Sequence, residues 1–184
     1  ILSQRPGNTV SNLSSTRALR DVTEKHGGTY TASAVGEVNV VNAMKATNAV
    51  IGGEGNGGII FPESHYGRDA LVGVALFLSL LAERKIAVST LRASYPSYFM
   101  SKKKIDLNPS IDVDAILVAM EAKYAHEQIS TIDGVKIDFP TEWVHLRKSN
   151  TEAIIRIYTE APSQEKADAL ADKIIEEIKN IAGI

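Results

Sequence analysis

Residues 49–62 read Ala49-Val50-Ile51-Gly52-Gly53-Glu54-Gly55-Asn56-Gly57-Gly58-Ile59-Ile60-Phe61-Pro62. An apolar strand enters a glycine-rich loop, and the chain leaves it as Ile59-Ile60-Phe61 before Pro62 stops the run. The segment 53–58 formally matches the G-x-G-x-x-G dinucleotide fingerprint. That fingerprint must open a helix whose N-terminus faces a pyrophosphate. Here a second β-rich stretch follows, and Glu54 would set a carboxylate where phosphates sit, so the loop reads as a strand-to-strand turn.

Working outward, 8–12 is a short strand, with Ser14-Ser15-Thr16 as candidate caps of a helix over 17–26 that Gly27-Gly28 ends. Residues 29–35 are β-rich, 39–46 is a short helix, and 69–86 is apolar on nearly all sides, as a buried central helix should be. Alternating strands and helices predict an α/β layer arrangement over 1–92. The stretch 93–108, with Pro96, aromatics and Lys102-Lys103-Lys104, reads as a linker. Beyond it, Asp112 caps a helix carrying Val113, Ile116, Leu117, Met120 and Tyr124 at helical spacing. A turn at Ile132-Asp133-Gly134-Val135 and three antiparallel strands over 136–160 follow, and a helix over 163–181 ends an α+β unit spanning 109–184.

The chain has 184 residues, 44% hydrophobic and 23% charged, with a net charge of −2 and no cysteine. Disulfide scaffolds, Cys-ligated metals and thiol chemistry are excluded. A nucleic-acid partner would need a basic face that this charge does not suggest. The longest apolar run, 70–82, is short of the ~18 residues of a membrane span, and no signal-peptide pattern is seen. The expectation is a cytoplasmic protein with neither nucleic-acid nor membrane partners. The start at Ile1 reads as a processed product or a piece of something longer.

Two loops could carry chemistry. Glu54 accepts two hydroxyl hydrogen bonds and Asn56 both donates and accepts, a chemistry suited to a neutral polyol such as a sugar; the alternative is a plain glycine-rich turn. Arg147-Lys148-Ser149-Asn150-Thr151-Glu152 gathers a guanidinium, hydroxyls and an amide, as a phosphate site would. Arg156 in the next strand adds charge, and Lys148 is expected to face solvent; the alternative is a polar hairpin. His26, His65, His126 and His145 are scattered without ligand spacing, and Glu63, His65 and Asp69 read as a solvated loop in preference to a metal site.

These loops, in this order, resemble the α-D-phosphohexomutase superfamily of phosphoglucomutases, phosphomannomutases and phosphoglucosamine mutases. Val35-Gly36 with its following helix, Gly53-Glu54-Gly55-Asn56-Gly57-Gly58, Tyr95-Pro96-Ser97-Tyr98, Asp133-Gly134-Val135-Lys136, Arg147-x-Ser149-Asn150-Thr151-Glu152 and Arg156-x-Tyr158-x-Glu160 all match that family's segments. The resemblance implies a mixed-sheet α/β domain 3, N-terminally truncated, followed by a small TATA-box-binding-protein-like α+β domain. It implies that Glu54 and Asn56 hold sugar hydroxyls with Gly53 and Gly55 in support. Arg147, Ser149, Asn150 and Thr151 would hold the non-reacting phosphate, supported by Arg156.

Family members are isomerases that interconvert hexose 1- and 6-phosphates through an enzyme phosphoserine, a hexose 1,6-bisphosphate intermediate and magnesium. The phosphoserine loop (Ser-His-Asn-Pro) and the magnesium loop (Asp-x-Asp-x-Asp-Arg) do not occur in this sequence. The resemblance therefore implies the C-terminal half of a mutase. Its partners are a phosphosugar and the missing N-terminal domains, and the isolated chain is expected to be inactive. Asn56 for serine, Gly58 for histidine, and Glu37 after Val35-Gly36 bear on which hexose is preferred: glucosamine, mannose or glucose. A non-catalytic sugar-phosphate-binding module is the alternative.

Overall fold

The computed structural model describes residues 1–108, 111–149 and 154–184. The chain divides into two compact units, Ile1–Ser97 and Tyr98–Ile184.

In the first unit the order is β1 (Thr9–Asn12), α1 (Ala18–Lys25), β2 (Tyr30–Ser33), α2 (Glu37–Thr47), β3 (Ile51–Glu54), β4 (Gly58–Ile60), α3 (Ala70–Arg84) and α4 (Val88–Ala93). The sheet runs β2-β1-β3-β4, with β1 parallel to both β2 and β3 and β4 antiparallel to β3. The parallel pairs need the helical crossovers α1 and α2, whereas β3 and β4 need only the glycine turn. Val10, Val40, Met44, Ala49 and Ile60 form a buried cluster under α2. Gly52 lets α2 come close, since a Cβ there would sit 2.5 Å from Met44 Sδ.

Two local expectations change. Of the three candidate caps of α1, Thr16 receives the Ala18 N–H at 3.2 Å, while the Ser15 hydroxyl turns away to Asn12 at 2.8 Å. Helix α3 forms where the apolar run predicts it, capped by Asp69, whose carboxylate accepts from Leu71 N and Val72 N. It is not a buried helix: none of its residues is buried, and Leu71 is 81% and Leu78 55% exposed. One side lies on β4, with Gly73 against Ile59, and much of the rest is exposed. Apolar content makes a helix ready for burial, but burial needs a second surface.

The second unit comprises β5 (Phe99–Asp106), α5 (Val113–Lys123), β6 (Gln128–Ser130), β7 (Val135–Asp138), β8 (Trp143–Lys148), β9 (Ile154–Ala161) and α6 (Gln164–Ala182). Its sheet is antiparallel in the order β5-β9-β8-β7-β6. Alternation along the strands sends Val144, Leu146, Ile155 and Ile157 toward α5 and α6, where they meet Ile116, Met120, Leu170, Ile174 and Ile178 in one core. Asp112 caps α5 as expected, accepting from Ala115 N, and α6 is capped by Ser163, which accepts from Lys166 N.

The 93–108 stretch is not a linker throughout. Phe99–Asp106 is the edge strand β5, and Ile105 and Leu107 enter the core. The lysine run that reads as a solvated connector is the charge an edge strand carries to discourage further pairing.

Candidate functional site

The glycine loop is a tight antiparallel hairpin, with Glu54 paired to Gly58 and Gly53 to Ile59. No helix follows it directly, in line with the rejected dinucleotide reading. Gly53 has φ 155°, and a Cβ there would lie 2.3 Å from the Gly58 carbonyl oxygen, so the turn admits only glycine at that point. The Gly55 N–H donates to Ser15 Oγ at 2.9 Å, which anchors the turn to the end of β1.

The Glu54 side chain is 7% exposed. Its Oε1 accepts from Asn12 Nδ2 at 2.8 Å and from the Gly36 N–H at 3.3 Å, while Oε2 lies 3.6 Å from Arg68 Nη1. Burying a carboxylate this deep is costly without such partners. Asn56 stands exposed at the tip, where its Oδ1 accepts the Gly58 N–H at 3.1 Å and its amide N–H groups remain available to a ligand.

Asn12 and Arg68, for which the sequence suggested no site role, complete this cluster together with Glu37, the residue after Val35-Gly36. Asn12 ends β1, and its Oδ1 receives Ser15 Oγ and Ser14 N. Glu37 accepts both Arg68 N and Arg68 Nε at 2.9 Å; the Arg68 backbone N–H, with the guanidinium beside it, holds the Glu37 carboxyl below the usual carboxylate range. Arg68 thus stands between two carboxylates. Its signal in the sequence was its place just before the cap Asp69, which looked like helix punctuation. The loop acid Glu63 pairs with Arg5 and His65 with Asp69. Among the described residues no group of three His, Cys, Asp or Glu could hold a metal ion.

The second loop leaves β8 at Arg147. Strand alternation puts Trp143, His145 and Arg147 on the sheet face away from the helices. Across the ladder, Arg147 pairs with Arg156, and Arg156 pairs in turn with Lys104. Three cations in a row across neighbouring strands repel one another. Two are compensated: Arg147 Nε lies 3.0 Å from Asp133 Oδ2, and Lys104 Nζ lies 2.9 Å from Asp106 Oδ1. Arg156 is exposed and has no ion-pair partner among the described residues.

Ser149 is buried, and its N–H donates to the Ile154 carbonyl at 3.0 Å. Asn150 and Thr151 lie outside the described residues. Lys148 is exposed, as expected, on the opposite strand face from Arg147, and its ammonium meets Asp114 Oδ2 at the surface at 2.6 Å. Beside Arg147, His145 is 1% exposed, and burial pushes its imidazole down to about 4. Buried Lys136 stands 4.4 Å from the Trp143 ring, and Trp143 Nε1 donates to Glu160 Oε1 at 2.8 Å.

Set against known proteins, residues 2–98 match the family "Phosphoglucomutase/phosphomannomutase, alpha/beta/alpha domain III". Residues 102–177 match "Phosphoglucomutase/phosphomannomutase, C-terminal domain". Over 175 residues the chain is 32% identical to a probable phosphoglucosamine mutase of Methanopyrus kandleri, covering 95% of this chain and 39% of that one. A phosphoglucomutase/phosphomannomutase of Thermococcus kodakarensis is 35% identical over 171 residues, covering 91% of this chain and 38% of that one. A solved phosphoglucomutase/phosphomannomutase family protein from Burkholderia thailandensis superposes with a TM-score of 0.77 at 25% identity, covering 97% of this chain and 39% of that one. The chain therefore spans about two fifths of the length of the relatives it matches. Both matched domains, in this order, are those of one family, and the chain belongs to the phosphoglucomutase/phosphomannomutase family of the phosphohexomutase superfamily.

Proposed function

We propose that this chain is the sugar- and phosphate-binding part of a phosphohexomutase that interconverts hexose 1-phosphate and hexose 6-phosphate. The observation that carries this reading is the cation row Arg147, Arg156 and Lys104, set in register beside the β8–β9 loop. A phosphate dianion there would relieve the repulsion within the row and receive charge-assisted hydrogen bonds from the guanidinium groups. Ser149, Asn150 and Thr151 supply further donors from the loop. Arg147 presents its Nη groups without a partner among the described residues, as a bidentate phosphate ligand requires.

In the first unit, Glu54 and Asn56 hold sugar hydroxyls, with Gly53 and Gly55 letting the backbone come close. Glu54 is held firmly, so it acts by orienting a hydroxyl; binding energy of this kind positions the substrate for reaction elsewhere. Phosphoryl transfer itself, through a phosphoserine and a hexose 1,6-bisphosphate, belongs to other parts of the parent polypeptide. So does magnesium, whose Asp-x-Asp-x-Asp-Arg loop does not occur in this sequence. The preferred hexose is glucosamine, mannose or glucose.

The test is a titration of the 184-residue chain with glucosamine 6-phosphate and glucose 1-phosphate, followed by backbone amide shifts. The expected result is movement at Glu54–Asn56 that inorganic phosphate does not produce, and its loss in Glu54→Gln. Movement of the same amides by inorganic phosphate, or none with phosphosugar at millimolar concentration, would contradict the sugar role. Turnover of glucose 1-phosphate by this chain alone would contradict the assignment of phosphoryl transfer to other parts of the parent.

A further inference from the structure

The turn between β6 and β7, residues 131–134, is pinned to β8 at three points, each beside Arg147. Gly134 has φ 73°, and a Cβ there would lie 2.1 Å from the Leu146 carbonyl oxygen, so the turn backbone presses directly on the strand. The Asp133 carbonyl, which can only accept, receives His145 Nε2–H at 2.7 Å. The Asp133 carboxylate then stands 3.0 Å from Arg147 Nε as an ion pair, without the alignment of a hydrogen bond. His145 and Arg147 are two residues apart on one strand face, so a single turn residue touches both with different groups.

We infer that Asp133 and His145 are positioning residues for Arg147: the turn acts as a brace that holds the guanidinium in place, by charge and by its grip on β8, before the anion arrives. The inference rests on the phosphate reading above. Contact at Nε leaves the Nη edge, the one that grips phosphate in two parallel hydrogen bonds, pointing elsewhere. His145 suits the role because it is buried and neutral at ordinary pH, so it donates one fixed N–H without adding charge.

Asp133 has two opposed effects on an anion. Its charge repels phosphate by about 1 kcal/mol if the two stand some 6 Å apart in a water-like dielectric, about fivefold in affinity. Its hold on Arg147 spares phosphate the entropy of ordering a long side chain, about 1 kcal/mol as well. The three-point anchoring of the turn favours the second effect, and the sign of one measurement separates them.

That measurement is inorganic phosphate affinity by amide shifts, in the full chain, for Asp133→Asn, His145→Leu, His145→Gln, Arg147→Ala and the double variant Asp133→Asn/Arg147→Ala. If Asp133 positions Arg147, the isosteric Asp133→Asn weakens phosphate about threefold to fivefold and changes nothing further in the Arg147→Ala background. His145→Leu should weaken phosphate in parallel, while His145→Gln, which keeps an N–H donor, restores affinity to within about twofold. Thermal melts of each variant separate these effects from loss of fold. Unchanged or tighter binding in Asp133→Asn, or the same loss in both backgrounds, overturns the inference. If Arg147→Ala itself leaves phosphate affinity unchanged, the phosphate reading fails instead.

Discussion

The two units place their apolar side chains in opposite ways. In the second, α5 and α6 lay apolar stripes on one face of a five-stranded sheet, and sixteen buried residues share one core. In the first, five buried residues gather under α2, while α3, Ala70–Arg84, buries none of its side chains. The most apolar helix of the chain is thus among the least covered. Sequence hydrophobicity measures how much a helix gains from a partner surface; the tertiary arrangement decides whether it has one. The second unit carries its own stability, and the first leaves an apolar helix face open.

The largest effect should appear in the closed core. Ile157 is fully buried between the sheet and its helices, and Ile157→Ala should lower unfolding free energy by about 3 to 4 kcal/mol. The single tryptophan, Trp143, is fully buried in the same unit, so its fluorescence in urea reads that unit directly. A loss below about 1 kcal/mol would mean the core can collapse around the gap and is looser than described.

Next in size is a pH effect confined to the second unit. His145 sits at about 4 in the folded protein because burial disfavours its charged form, against about 6.5 when unfolded. The unfolded chain therefore binds more protons between these values, and stability rises with pH across that window. The contribution is complete above about pH 6.5 and falls by on the order of 2 to 3 kcal/mol as pH drops to about 4. His145→Gln should flatten this slope. An unchanged slope would place the acid sensitivity elsewhere.

The smallest effect sharpens the other side of the contrast. Leu71→Ser and Leu78→Ser, at exposed positions of α3, should change stability by no more than about 0.5 kcal/mol and should reduce self-association in sedimentation runs. A loss near 2 kcal/mol would show that this face is covered in solution.

Most of the fold was legible because hydrophobic period and punctuation agree. The glycine hairpin, the Asp112 cap and the helix α6 each follow from local chemistry. Strand β5 was not, because an edge strand with Lys102-Lys103-Lys104 has the composition of a connector. At the candidate sites, Glu54 and Arg147 stood out as charged groups on loops. Asn12 and Arg68 did not, because they reach Glu54 from separate parts of the chain and no spacing links them; Glu37 meets Arg68, not Glu54. Lys148 is exposed as expected, and its surface partner Asp114 was not legible because it lies 34 positions away in sequence.

The central claim is that Arg147 and its loop form a phosphate site. The most direct measurement is the affinity of the chain for inorganic phosphate at neutral pH, read from amide shifts, in the native protein and in Arg147→Ala. The account predicts saturable shifts confined to the β8–β9 loop and its neighbours Gly134 and Arg156, weakened by about tenfold or more in the variant. Shifts of equal affinity in both proteins, or none at all in the native chain, would contradict it.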